Sequence, residues 1–167
     1  MKQKYNKDVY YICRLSGIKR IEKEYGKLKN YDVVLTNERK EHILYRRKSY
    51  GVDVLINLKE SIKNYAYLLD AGDFSIRYIK INEAKNYAYV VKLSINNSSK
   101  ANSVISGIII DSKKINKYIC KYKIIDSRWY NINKLWSREI VLLHIVPTTH
   151  PWGQEKSWER HTRHSLI

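Results

Sequence analysis

Between residues 65 and 111 the hydrophobic pattern runs with a period of two. The segments "YAYLLD", "FSIRYIKIN", "AYVVKLSIN" and "SVISGIIID" alternate apolar with polar or tyrosyl positions, and "AGD", "EAKN" and "NSSKAN" lie between them. Alternation over this length fits half-buried strands, and the intervening residues are those that turns favour. The spacing predicts a four-stranded antiparallel meander. Such a sheet has an apolar face to cover, so helices must come from elsewhere in the chain.

The upstream half supplies them. "DVYYICRL" (8 to 15) and "YDVVLT" (31 to 36) read as strands. Between them, after Gly17, Ile18, Ile21, Tyr25 and Leu28 recur at helical spacing. Thr36 or Asn37 is placed to cap a helix over about 38 to 48, closed by Gly51. In "VLINLKESIKNYAYLL" Leu55, Leu58, Ile62 and Leu69 fall on one stripe opposite Lys59, Glu60 and Lys63, and a second amphipathic helix is expected over about 53 to 64. After the meander Ser112 is a candidate cap for "KKINKYICKYKII", with Lys113, Lys117 and Lys121 in a basic stripe and Ile115 and Ile119 inward. The expected class is α+β, with N-terminal helices packed on the meander.

Composition changes beyond residue 126, where four of the five histidines, all four tryptophans and both prolines fall. The expected organisation is therefore a domain over 1–125 and a C-terminal extension over 126–167. Within the extension "IVLLHIV" (140 to 146) reads as a further strand or packing arm. His161 and His164 stand at i, i+3, but no cysteine or close carboxylate pair completes a metal site there. They read as exposed tail histidines, and no metal or cofactor is implied.

Thirty-two lysines and arginines against sixteen acidic residues give a formal net charge of +16. A field of that sign concentrates polyanions and speeds their encounter. Fifteen tyrosines are interleaved with the cations, and a ring beside a charge suits a nucleobase beside a phosphate. Drift in an AT-rich genome accounts for asparagine and isoleucine, but not for basic residues at twice the number of acidic ones. The expected partner is RNA or another nucleic acid, with a protein inhibitor as a further candidate. No apolar run reaches the roughly 18 to 20 residues of a membrane span, and the N-terminus lacks the apolar core of a signal peptide. Cys13 and Cys120 form neither a disulfide framework nor a metal knuckle. A cytoplasmic, reducing setting is expected.

The densest chemistry lies in "LTNERKEHILYRR" (35 to 47). At about 100° per residue, Arg39, His42, Ile43 and Arg46 fall in one stripe bordered by Arg47. Isoleucine among the cations suggests a cleft with an apolar floor and a charged mouth; an ordinary solvated basic helix is the other reading. Together with the order of elements around it, the segment resembles the phage-associated branch of the BECR-fold nucleases, the superfamily named for barnase, EndoU, colicin-type tRNases and RelE. That branch carries an Arg-x-x-His-Ile-x-x-Arg-His pattern on a helix between a strand and a meander. Arg39, His42, Ile43 and Arg46 match it position by position, and Arg47 replaces the final histidine.

The resemblance implies a BECR-like fold over about residues 8 to 111 and a metal-independent endoribonuclease, phage- or mobile-element-encoded and acting as a toxin or nuclease. In such an enzyme the ribose 2′-OH attacks the adjacent phosphorus. His42 would move a proton, since imidazole exchanges one near neutral pH. Arg39 and Arg46 would stabilise the phosphorane, because guanidinium stays charged and matches two phosphate oxygens. Ser106 resembles the hydroxyl residue found on the corresponding strand of the family; a core serine bonded to backbone is its other reading. Arg47, Lys80 and Lys92 would bind flanking nucleic acid, though for Lys80 an exposed strand lysine is the first reading and a place at the cleft edge the second. A catalytically inactive nucleic-acid-binding module of the same fold, or a basic interaction protein that inhibits a host factor, are the alternatives.

Overall fold

The structure, a computed structural model, describes residues 8–95 and 100–128. Within them the chain runs β1 (Val9–Arg14), α1 (Ile18–Tyr25), β2 (Asp32–Thr36), α2 (Asn37–Arg46), α3 (Gly51–Lys63) and β3 (Tyr67–Gly72). It continues through β4 (Ser75–Lys80), β5 (Asn86–Lys92), β6 (Asn102–Ile110), α4 (Ser112–Lys121) and β7 (Ile124–Ser127). The segment "IVLLHIV", the histidine pair at 161 and 164 and most of the expected extension lie outside the described residues.

The class is α+β, and the sheet is larger than the alternating region alone. Seven strands form one mixed sheet in the order β1-β2-β6-β5-β4-β3-β7. Strands β3 to β6 pair antiparallel with their chain neighbours. The expected four-stranded sheet is corrected on both sides. β1 and β2 join it through a parallel pairing of β2 with β6, in which Val33 is opposite Asn102 and Val34 opposite Ser103. β7 joins at the far edge beside β3. A parallel partner arrives through a long crossover and leaves no hairpin signal, so periodicity identified the strands without assigning them to one sheet.

The sheet buries both faces unequally. One face carries the main core, where Val33, Leu35, Tyr78, Tyr89, Val91 and Val104 meet Ile21 of α1, Ile43 of α2 and Val54, Leu58 and Ile62 of α3. The other carries a smaller core, in which Leu69, Ile79, Ala88 and Ile110 receive Ile115 of α4. Helix α3 lies close enough that a Cβ on Gly107 of β6 would sit 2.7 Å from a Val54 methyl and 3.0 Å from the Tyr89 ring. Tyr89 reaches past it to donate to the Val54 carbonyl at 2.6 Å.

Helix boundaries follow their caps. The Thr36 hydroxyl accepts from the Arg39 amide at 3.3 Å and opens α2. Gly51 does not close that helix: α2 ends at Arg46, and Gly51 is the first residue of α3. The cap of α4 is Asp111, whose carboxylate accepts from the Lys114 amide at 2.7 Å, rather than Ser112. "KII" (123 to 125) leaves the helix and leads into β7, where Ile124 pairs with Leu69. The sheet thus runs past residue 125, and the Arg128 amide still donates to the Ala66 carbonyl at 2.9 Å.

Candidate nucleic-acid interface

α2 projects its residues in two directions because it lies flat on the main core. Ile43 is 2% exposed. It is therefore spent on the core and does not form the floor of a charged cleft. His42 and Arg46 are exposed, and Arg39 and Arg47 are half-buried at the margin. His42 has no hydrogen bond or ion pair with another described residue. Among the described residues the one ion pair of Arg39 is with Glu38, at 3.9 Å, a loose contact between partly solvated groups. Arg39, His42 and Arg46 thus form one strip, exposed at His42 and Arg46 and half-buried at Arg39, with the imidazole in its middle.

The strip has aromatic company that the motif does not include. Tyr45 lies one turn beyond His42 and is 75% exposed. Lys48 places its ammonium 5.4 Å from the Tyr45 ring centroid. On the flank toward β1, Lys40 sits 4.8 Å from the centroid of Tyr10, itself 41% exposed. Residues at i, i+3 share a helix face, so the spacing of His42 and Tyr45 carried this signal. The Tyr10 pairing, across thirty residues of chain, did not.

The remaining expected site residues separate by sheet face. Tyr89 and Gly107 are paired and face α3, so the next pair, Val90 and Ser106, points to the opposite face. Ser106 therefore lies on the far side of the sheet from α2 and is not brought to His42. The reason is a bulge: Val90 is opposite Ser106, but Val91 is opposite Val104, so Ile105 is an extra residue. Strict alternation places Val104 and Ser106 on one face; the inserted residue separates them. Lys92 lies on Ser106's face, and its ammonium bonds the carboxylate and carbonyl of Asp73 in the β3–β4 turn. Lys80 pairs with Tyr87 and shares the face toward α3, half-buried at the end of β4. Arg47 serves the turn after α2, where its carbonyl accepts from the amides of Tyr50 and Gly51.

Among the described residues no group of three or more His, Cys, Asp or Glu side chains is arranged to hold a metal, and no helix is long and apolar enough to cross a membrane. Neither a protein-family model, nor a curated protein, nor a solved structure matches this chain.

Proposed function

We propose that the exposed face of α2 binds RNA. The observation that carries this reading is the strip of Arg39, His42 and Arg46 flanked by Tyr45, in a chain of net charge +16. Guanidinium groups match phosphate oxygens in pairs. A solvent-facing tyrosine offers a stacking surface to an unpaired base, which every base can use. Single-stranded RNA presents both partners together, whereas a duplex hides its base faces.

A second reading, metal-independent RNA cleavage, draws support from His42 between two arginines. The 2′-OH would attack phosphorus, its proton passing to a base, and the 5′-oxygen would leave with a proton from an acid. The product would be a 2′,3′-cyclic phosphate. His42 can fill one of these two roles, and Arg39 and Arg46 can stabilise the charge gained by the phosphorane. Neither of the two partners that the family pattern would supply fits the second proton transfer: Arg47 cannot release a proton, and Ser106 is on the other side of the sheet. That asymmetry favours binding over catalysis.

A fluorescent mixed-sequence RNA incubated with the protein in EDTA separates the readings. The expected result is a salt-sensitive complex with intact RNA. Cleavage to cyclic phosphate ends that vanishes in His42→Ala, with affinity retained, would establish the catalytic reading instead. No affinity at low salt would overturn both and leave a basic protein whose partner is another protein.

A further inference from the structure

The second helix with an unbalanced charge is α4, on the opposite face of the sheet. From Ser112 to Lys121 it holds four lysines and no acidic residue. Lys113, Lys114, Lys117 and Lys121 are all exposed. On a helical projection they fall within about a third of the circumference. None forms an ion pair with a described residue, whereas Lys123, just beyond the helix, is bound to Glu24 at 2.6 Å. The Asp111 carboxylate at the helix start is engaged by the Lys114 amide.

Beneath the lysines a further cation reinforces the field. Arg77 of β4 lies 4.1 Å from the ring centroid of Tyr118 and 4.5 Å from that of Tyr122. Its Nη1 is buried without a hydrogen-bond acceptor. Lys114 and Lys121 approach the same two rings at 6.0 and 5.3 Å. The positive surroundings register on Tyr122, whose hydroxyl is held below its ordinary pKa, first by the Arg77 guanidinium beside it.

We propose that the lysine face of α4 is a second contact for the RNA backbone, separate from α2. The proposal rests on the reading of the protein as an RNA binder. Lys113, Lys117 and Lys121 rise along the helix at steps of about 6 Å, a ladder of charges for successive phosphates. A lipid surface is the competing polyanion, and the packing argues against it. A helix that binds a bilayer buries an apolar face in it, but here Ile115, Tyr118, Ile119 and Tyr122 are already packed on the smaller core. Among the described residues it is the charged side of α4 that is left uncovered.

Cys120 provides a direct probe. It is exposed on α4 between Lys117 and Lys121, while the only other cysteine, Cys13, is buried. Burial pushes the Cys13 thiol up to about 11, so alkylation of the folded full-length chain reports on Cys120. Saturating single-stranded RNA should slow that alkylation several-fold. The triple variant Lys113→Gln, Lys117→Gln, Lys121→Gln should flatten the log–log salt dependence of RNA affinity by about 2, at about 0.7 per lost contact. An unchanged slope with unchanged alkylation would overturn the proposal. Lysine-dependent binding to phosphatidylserine vesicles, without RNA protection of Cys120, would overturn it in favour of lipid. If Arg46→Ala leaves the slope intact while the lysine variant flattens it, this site stands and the α2 reading falls; the reverse pattern removes this site alone.

Discussion

At the scale of single residues, the most consequential polar group is Asn102. It is fully buried at the start of β6. Its amide donates to the carbonyls of Asn30 at 2.9 Å and Asp32 at 3.0 Å, and its oxygen accepts from the Ser94 amide at 3.0 Å. One side chain thus ties β6 to the segment entering β2 and to the end of β5. Removing it takes one partner from each of three backbone groups, one bond being buried and two half-buried, and a buried group that loses its partner costs about 1–3 kcal/mol. Asn102→Ala should lower stability by roughly 3 kcal/mol in urea unfolding; a loss under about 0.5 kcal/mol would show that water replaces the amide. Nothing local in "KANSV" announces this role, because two of its three partners, Asn30 and Asp32, are some seventy residues away. The Thr36 cap was legible because its partner is three residues on. Ser112 carries a capping hydroxyl too, but Asp111 does the same chemistry one position earlier and takes the role.

At the scale of elements, helix–sheet contact is set by Gly107. A Cβ there would meet Val54 of α3 and the Tyr89 ring inside ordinary contact distance. Both neighbours are fully buried and have little room to yield. Gly107→Ala should therefore destabilise the fold by about 1–3 kcal/mol, the usual cost of overpacking; a neutral or stabilising result in thermal unfolding would mean that α3 moves away freely. The elements themselves were largely legible from period, since α1, α2, α3 and the alternating strands occur close to where their patterns place them. What one-dimensional pattern lacked was strand partnership and register. Val33 and Val34 look like any short apolar run, and only the folded chain sets them parallel to β6. One bulged residue, Ile105, moved Ser106 to the other face. It divided the expected site, so that Arg39, His42 and Arg46 were legible as a group while Ser106 was not.

At the scale of the whole molecule, two features of composition have opposite fates. The lysines and arginines make the surface field, while many of the tyrosines turn inward. Burial raises the hydroxyl pKa of Tyr25, Tyr65, Tyr78 and Tyr89 above the ordinary value. A raised tyrosine favours the protonated folded form. Stability is then complete below the unfolded value of about 10 and falls as pH rises above it. The urea midpoint should drop between pH 9 and pH 11, and Tyr65→Phe, which cannot ionise, should show a smaller drop. An equal drop in the variant would assign the loss to other groups.

The outward-facing charge underlies the RNA contact proposed for α2. It is tested most directly by the salt dependence of affinity for single-stranded RNA, measured for the full-length protein and for Arg46→Ala. Exposed Arg46 has no ion pair with a described residue, so its loss should leave the fold intact and remove one phosphate contact. A steep log–log slope is expected for the parent protein and one shallower by about 0.7 for the variant. Affinity independent of salt, or identical slopes for the two proteins, would contradict it.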